Sequence, residues 1–261
     1  MSNTTISSET LDIEINRDNF PDLLEKLKDL ARIGDVIKFK IDEYDILIYS
    51  MLGKTSVSAL KSYKLKTDDF FMTKTPIEGI VNMIIGESTK FVKNLEFIRT
   101  DSKVSLKLST RSIDECEVRT AQITNGRFKL KFEISESSEI KDISKQQLGK
   151  TLRKENRNWA FSLSPDDFKD IKKLSSINSS DSRRVLTLSI EDTKVKLSET
   201  HLWELEVDET SESNKHIIFN KTFLSYINET GKSIEFNVFE NFIFIEDENS
   251  NLMISFEQDF E

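Results

Sequence analysis

Cysteine, histidine and long apolar runs are scarce in this chain of 261 residues, which has one cysteine and two histidines. The single cysteine, Cys116, excludes an internal disulfide, so we expect a reducing compartment and a buried structural thiol. No run approaches the roughly 18 apolar residues that suggest a membrane span. The opening MSNTTISSET also lacks the cationic and apolar segments of a secretory signal. We therefore expect a cytoplasmic protein that does not associate with membranes.

The sequence motifs of catalysis are also missing. The two histidines, His201 and His216, stand at the starts of alternating segments, so no triad of nucleophile, base and orienting residue can be assembled. The strings LGKTS and LGKTL, around Gly53 and Gly149, lack the earlier glycine that a phosphate-binding loop requires. The acidic run 246–248 lacks the ligand spacing and the glycine of a calcium loop. These absences predict that the chain is not an enzyme and needs no cofactor, nucleotide or metal.

Charged residues, in contrast, are abundant. They make up 32% of the chain, against 37% for hydrophobic residues, and the formal net charge is -9. The hydrophobic share is enough for a core. The excess of acidic residues argues against nonspecific binding of nucleic acid over the whole protein surface. A local basic track on one face remains compatible with this composition.

The segment FSLSPDDFKDIKKLSSI, residues 161–177, gathers cations in this acidic chain. Ser164 is a good N-cap and Pro165 suits the first helical position, so we expect a helix to begin here. At about 100° per residue, this helix has an apolar stripe and a lysine-bearing face opposite to it. The stripe consists of Phe168, Ile171, Leu174 and Ile177, and the opposite face carries Lys169, Lys172 and Lys173. Taken alone, the pattern indicates no more than a solvated amphipathic helix.

A related pattern opens the chain. Both Ile15–Phe20 and Leu163–Phe168 run from a strand into a helix through a polar turn that ends in phenylalanine. The first helix has leucines on its apolar face, and its other face mixes Lys26, Lys28 and Arg32 with acidic residues. The two halves of the sequence therefore begin alike.

The likeness continues downstream, where period-2 alternation predicts three strands, a second short helix and further strands in each half. In the first half these are strands 36–41, 44–50 and 56–65, a helix at 77–85, and strands 95–99, 104–108, 116–123 and 128–134. In the second half they are strands 185–190, 194–199 and 202–207, a helix within 220–228, and strands 233–239, 242–246 and 252–256. By this count the second half is shorter by about one strand.

The repeat predicts an α+β protein with two similar domains. The segment 135–158 has many charges and no sustained alternation, as a linker would. We expect an N-terminal domain at residues 1–137, a linker at 138–158 and a C-terminal domain at 159–261. A single large barrel is the alternative to this division.

The order of elements resembles that of the sliding clamps, the ring-shaped processivity factors of DNA polymerases that include proliferating cell nuclear antigen. The two-domain clamps of large tailed phages are especially similar. The resemblance is carried by LDIEINRDNFPDLLEKLKDLARIGDVIKFKIDEYDILIYSM, by FSLSPDDFKDIKKLSSI with RVLTLSIEDTKVKLSET, and by HIIFNKTFLSYINETGKSIEFNVF with NFIFIEDE and NLMISFEQDF. It extends over nearly the whole chain from about Leu11.

This resemblance implies a homotrimeric ring, with antiparallel sheets outside and two helices of each domain facing a hole that holds double-stranded DNA. The lysines of the helices would then meet phosphates without reading bases. The positions that match DNA-facing residues are Lys169, Lys172, Lys173 and Lys221, followed by Lys26, Lys28 and Arg32. The expected helix at 77–85 departs from the family because it offers little positive charge. The strand edges expected at the ring interface are Phe128–Ile134 and Trp203–Val207.

The resemblance also implies partners. These are a replicative DNA polymerase, an ATP-dependent clamp loader and short hydrophobic peptides that bind in a cleft near 135–158 and Met253–Phe260. In phage relatives the loaded clamp also activates late transcription, and the compartment would be the cytoplasm of a bacterial host. The residues leave two alternatives open, namely a β-rich phage structural or interaction protein that ignores DNA, and a β-rich hydrolase with a carboxylate pair.

Overall fold

The computed structural model describes residues 10–53, 57–73, 77, 79–98, 103–110, 118–126, 128–133, 154–177, 185–199, 203–210, 215–247 and 250–256. The chain divides into two compact units, one made of Met1–Lys54 and Lys61–Lys141, and the other of Thr55–Leu60 and Asp142–Glu261. Most of the predicted linker at 138–158 lies outside the described residues, so the boundaries at 1–137 and 159–261 stay predictions. The described end of that linker forms a 3-10 turn at Lys154–Asn156.

The first unit alternates strands with short helices. Its described elements are β1 (Thr10–Ile15), α1 (Phe20–Ala31), β2 (Ile37–Ile41), β3 (Asp45–Leu52), β4 (Ala59–Lys66), α2 (Thr67–Phe70), β5 (Phe71–Thr73), β6 (Val81–Ile85), α3 (Ser88–Leu95), β7 (Val104–Thr110), β8 (Val118–Asn125) and β9 (Phe128–Glu133). One sheet has the strand order β5-β1-β7-β8-β9, and a second group of strands has the order β4-β3-β2-β6. The strand pairs for which a register is resolved in this unit are antiparallel.

The second unit repeats this plan. Its described elements are β10 (Trp159–Leu163), α4 (Pro165–Ile177), β11 (Val185–Glu191), β12 (Lys194–Glu199), β13 (Trp203–Glu209), β14 (Lys215–Asn220), a 3-10 helix (Lys221–Tyr226), β15 (Ile234–Val238), β16 (Phe242–Glu246) and β17 (Ser250–Ser255). The strand orders are β10-β15-β16-β17 and β13-β12-β11-β14. The short segment Thr55–Leu60 groups with this unit, where the backbone amide of Ser255 donates to the Ser58 carbonyl at 3.0 Å.

The two units have the same described topology once α2 and β5 are set aside. In each, a strand and a helix are followed by four strands, a second helix and three strands. The first strand shares a sheet with the three strands after the second helix, and the other four strands form the second group. Among the described residues the first unit has nine strands and the second has eight, and the additional strand is β5. The predicted difference of one strand is thus observed, but the strand expected at 95–99 is not its source, because the described residues there are the end of α3 and the turn after it.

The region 77–85 is the other place where the structure corrects the sequence analysis. The sequence predicts a helix here, but the region contains the strand β6, in which every residue except Asn82 is buried. A continuous run of apolar residues suits a strand that is covered on both faces, and its spacing can be mistaken for that of a buried helix. The second helix of this unit is instead α3, which begins after Glu87, a residue in the left-handed region with φ of 49°.

Apolar faces of the helices close the core of each unit. Helix α1 buries Phe20, Leu23, Leu27 and Leu30. Helix α3 contributes Phe91, whose ring meets that of Phe132 on β9 in an edge-to-face contact with centroids 4.8 Å apart. In the second unit, α4 buries Phe168 and Ile171, while Phe161 and Phe236 stack on neighbouring strands at 4.6 Å. The polar faces of the helices are left toward solvent.

Candidate nucleic-acid interface

Helix α4 begins where the sequence predicts. The Ser164 hydroxyl accepts a hydrogen bond from the backbone amide of Asp167 at 3.1 Å, which satisfies one of the amides left unpaired at a helix start. Pro165 is the first helical residue, and Asp166 and Asp167 lie in the first turn, where the helix dipole favours negative charge. The cap thus marks the start of α4 at the residue that the sequence predicts.

The segregation of apolar and basic residues on α4 is observed. Phe168 and Ile171 are buried, with 2% and 0% of their surfaces exposed, and Leu174 is half-buried. Lys169 and Lys173 are exposed, and neither has an ion-pair partner among the described residues. The side chain of Ile177 lies outside the described residues. Exposed cations of this kind can contact a polyanion without rearrangement of the core.

Lys172 is held differently from its two neighbours. Its ammonium forms an ion pair with the Glu229 carboxylate and lies 5.5 Å from the centroid of the Phe168 ring. The hydrogen bond and charge of Lys172, and then the charge of Lys169, hold the pKa of Glu229 below its usual range. Both lysines therefore favour the charged form of the Glu229 carboxylate.

Lys221 does not lie on an exposed face. It is the first residue of the 3-10 helix, only 9% exposed, and its ammonium is 2.5 Å from Glu199 Oε1. Glu199 is itself buried, and its other oxygen accepts from the Trp203 indole nitrogen at 3.0 Å. The expectation that Lys221 faces DNA stays a prediction, but its burial and its ion pair with Glu199 make this ammonium less accessible than the lysines of α4.

The predicted cations of α1 are partly committed to internal contacts. Lys26 pairs with Asp22 and lies 5.7 Å from the centroid of the Tyr63 ring. Lys28 pairs with Glu96 at 2.7 Å, with about half of each side chain exposed. Arg32 is 60% exposed and lies 3.9 Å from Asp29, the carboxylate that also binds the buried Lys61. Among Lys26, Lys28 and the C-cap residue Arg32, the last two therefore keep the most accessible charge.

Two further exposed cations were missed by sequence reasoning. Lys90 and Lys93 lie on α3, which packs against α1. Lys90 pairs with Glu87 at 2.8 Å, whereas Lys93 has no ion-pair partner among the residues described. The sequence signal for these two lysines is the amphipathic run STKFVKNL at 88–95. The expectation of a helix at 77–85 left no place for a second helix in this run. Lys93 joins Lys28 and Arg32 as an exposed cation of the paired helices in this unit.

Other expectations about chemistry concern residues that are only partly described. Cys116, Gly149 and His201 lie outside the described residues, while His216 lies within β14 and is exposed. Within the described part of the chain, no group of three or more histidine, cysteine and acidic residues is placed to hold a metal ion. No helix among the residues described is long and apolar enough to cross a membrane.

Comparisons with known proteins point to a single architecture. No protein-family model and no curated protein gives a match to the sequence. Solved structures do match, among them a putative DNA polymerase III beta subunit from Eubacterium rectale, with 12% identity and a TM-score of 0.66 over 96% of this chain and 66% of that one. The DNA polymerase III beta subunit of Pseudomonas aeruginosa matches with 9% identity and a TM-score of 0.66, over 97% and 66% of the two chains.

A third solved structure of the same kind is the Helicobacter pylori beta clamp bound to a DNA ligase peptide. It matches with 12% identity and a TM-score of 0.63, over 96% of this chain and 67% of that one. This chain therefore spans about two thirds of the length of the beta subunits that it resembles. At these identities the comparison shows the fold alone, so the expectation that the chain is not an enzyme stays a prediction. The repeated α+β units, with paired helices and antiparallel strands, have the sliding-clamp fold.

Proposed function

We propose that this protein is a sliding clamp that encircles duplex DNA and tethers a DNA polymerase. The observation that supports this most directly is the lysine face of α4, where Lys169 and Lys173 are exposed beside Lys172 in a fold shared with clamps. Lys28, Arg32 and Lys93 provide the corresponding charge in the first unit.

The chemistry of these cations suits sliding. Lysine ammonium groups attract phosphates at any base sequence, so contact can be exchanged between neighbouring phosphates without a fixed register. The net charge of -9 on the whole chain would keep the rest of the surface from holding DNA. Such a protein needs no catalytic group, since its contribution is to keep its partner at the template.

We also propose the partners that this role requires. A separate ATP-dependent loader would open the ring, and a replicative polymerase would bind it through a short hydrophobic peptide. The Helicobacter pylori beta clamp is bound to a DNA ligase peptide, which supports a peptide-binding role in this fold. The segments expected to form the cleft, near 135–158 and Met253–Phe260, are largely outside the described residues. Activation of late transcription, a phage origin and a bacterial host cytoplasm belong to the same proposal.

A homotrimeric ring is the assembly that we propose, with contact between β9 of one copy and β13 of the next. Both strands stand at the end of their sheets among the residues described. On β9, Lys129 and Lys131 point to one face while Leu130 and Phe132 pack on the core. On β13, Glu204 and Glu206 alternate with half-buried apolar residues. End strands of this kind need a partner, and a second copy supplies one.

The charges on these two strands favour head-to-tail pairing. If β9 of one copy extends the sheet that contains β13 of another, the lysine row lies beside the glutamate row on one face of the combined sheet. Pairing of β9 with β9, or of β13 with β13, would place like charges together. These charges would thus favour contact of β9 with β13 over contact between two identical strands. A head-to-tail contact of this kind can close into a ring.

The decisive test of the function concerns α4. Changing Lys169, Lys172 and Lys173 to Glu leaves the apolar stripe intact, so folding and ring assembly should survive. Salt-sensitive attraction to duplex DNA should fall at all sequences, with the slope of log affinity against log salt reduced by up to roughly 0.9 for each phosphate that is no longer neutralised. Polymerase processivity on a primed circular template should fall with it.

The matched control changes three exposed lysines that lie on strands, Lys64, Lys66 and Lys107, to Glu. This control changes the net charge equally but leaves the helices untouched. Equal loss of processivity in both triple variants, or loss in neither, would show that the α4 face is merely solvated and would refute the proposed function.

A further inference from the structure

Each unit places a glutamate that follows the second helix against a lysine of the first helix. In the second unit, Glu229 follows the 3-10 helix and pairs with Lys172 of α4. In the first unit, Glu96 follows α3 directly and pairs with Lys28 of α1 at 2.7 Å. The two lysines are not at equivalent positions of their helices. The two units therefore share this kind of ion pair between the first helix and the residues after the second, but not the positions that form it.

The glutamates occupy the position that an anion would take on these faces. Glu229 accepts from Lys172, and its charge is also felt by Lys169 one turn away. About half of the Glu229 side chain is exposed, and Lys172 is 31% exposed, so solvent and solutes can reach the pair. The pair of Lys28 and Glu96 is exposed to a similar degree. Exposed pairs of this kind are weak and exchange readily for other ions.

We propose that Glu229 and Glu96 are internal competitors of DNA phosphates. Each carboxylate engages a lysine that DNA would otherwise contact, so a phosphate has to displace the glutamate before it gains that lysine. This inference rests on the proposed function, because it assumes that the lysine faces meet DNA.

The physical consequence is a weaker grip on DNA without loss of lysines. An internal carboxylate lowers the net binding free energy gained from each phosphate contact, because the lysine–glutamate pair is broken when the lysine–phosphate pair forms. For a protein that must move along the duplex, shallow binding at every register is an advantage, because deep binding at any one register would slow the movement.

The test replaces each glutamate with its neutral isostere. The variants Glu229→Gln and Glu96→Gln should each raise affinity for a short fluorescein-labelled duplex by about 2- to 5-fold at low salt, the factor that an exposed ion pair typically contributes to an equilibrium. Fluorescence anisotropy over a series of salt concentrations measures both the affinity and its salt slope. The slope should become steeper by up to roughly 0.9 for each lysine set free.

The matched control is Glu191→Gln. Glu191 pairs with Lys196 at 3.0 Å and is 62% exposed, but it lies at the end of β11, away from the helices in sequence and on a different element. This variant changes the net charge by the same amount as Glu229→Gln. An equal gain of affinity in the two variants would mean that overall charge is responsible, and would overturn the inference.

Adding Glu229→Gln to a double-lysine variant tests whether Glu229 acts through the lysines. In a Lys169→Gln, Lys172→Gln background, Glu229→Gln should no longer raise affinity, because the lysines that it releases are absent. A gain that persists in this background overturns the inference. If the unchanged protein shows no salt-sensitive association with DNA at all, the proposed function itself fails; if it associates but Glu229→Gln and Glu96→Gln bind no better, only the inference fails.

Discussion

The ammonium of Lys221 lies 2.5 Å from the carboxylate of Glu199, and both side chains are buried. The two residues belong to different elements, the 3-10 helix and the end of β12. Trp203 is the first residue of β13, and its indole nitrogen donates a hydrogen bond to the same carboxylate at 3.0 Å. This contact links the second helix of the unit to the strand that we expect at the ring interface.

Replacement of Lys221 by Met should destabilise the protein strongly. The change leaves the Glu199 charge buried without its ammonium, which typically costs about 3–5 kcal/mol in the free energy of unfolding. Denaturant unfolding, followed by tryptophan fluorescence, measures the loss. The double variant Lys221→Met, Glu199→Leu should recover much of it, because no charge then remains buried. Lys169→Met on exposed α4 is the control, and an equally small effect in both single variants would contradict the buried-pair interpretation.

Reversal of the charge on β9 should dissociate the proposed ring. The variant Lys129→Glu, Lys131→Glu places acids opposite Glu204 and Glu206 of the next copy, and light scattering should report a smaller particle than for the unchanged protein. Lys64 and Lys66, an exposed pair with the same spacing on β4, provide the control when both are changed to Glu. If both double variants assemble alike, β9 is not at the interface.

A mixture of two variants tests the number of copies in the ring. Lys129→Glu with Lys131→Glu makes both end strands acidic, whereas Glu204→Lys with Glu206→Lys makes both basic. Neither should assemble alone, but a mixture should join the two kinds in alternation. A strictly alternating ring closes only with an even number of subunits, so a homotrimer predicts open or even-numbered assemblies from the mixture. Recovery of the original trimer mass from the mixture would contradict the charge-directed contact.

The ionisation of Glu229 should depend on Lys172. Since the lysine holds the pKa of this carboxyl below its usual range, Lys172→Gln should raise that pKa toward the ordinary glutamate value. The ion pair stabilises the fold above the unfolded-state pKa, and this contribution is lost as pH falls through the lowered folded-state pKa. A carboxyl titration by NMR measures the shift. An unchanged pKa in the Lys172→Gln variant would show that the pair does not persist in solution.

The missed cation Lys93 should contribute to DNA attraction in the first unit. Lys93→Gln should lower the slope of log affinity against log salt by up to roughly 0.9 for the one phosphate that it would neutralise, because this lysine has no acidic partner among the described residues. Lys107→Gln, an exposed lysine on β7, is the matched control. A larger effect from Lys107 than from Lys93 would argue against α3 as a DNA-facing helix.

Local patterns in the sequence determined much of the fold. The cap at Ser164, the proline after it and the period of the apolar stripe placed α4 and its lysine face, because all of these signals act within a few residues. Alternation likewise located most of the strands and the repeat of two units. It did not separate β6 from a helix, since a short run of buried apolar residues satisfies both periods.

Contacts between residues far apart in sequence were decided by the tertiary structure. Whether a lysine has an acidic partner depends on which carboxylate the fold brings to it: Glu199 meets Lys221 from another element, and Glu229 meets Lys172 across 57 residues. The sequence alone determined that cations would gather on one face of α4. Only the packing of the strands and helices decided which of the predicted cations stay exposed and which pair with a carboxylate within the protein, because ion pairing requires a proximity that periodicity does not encode.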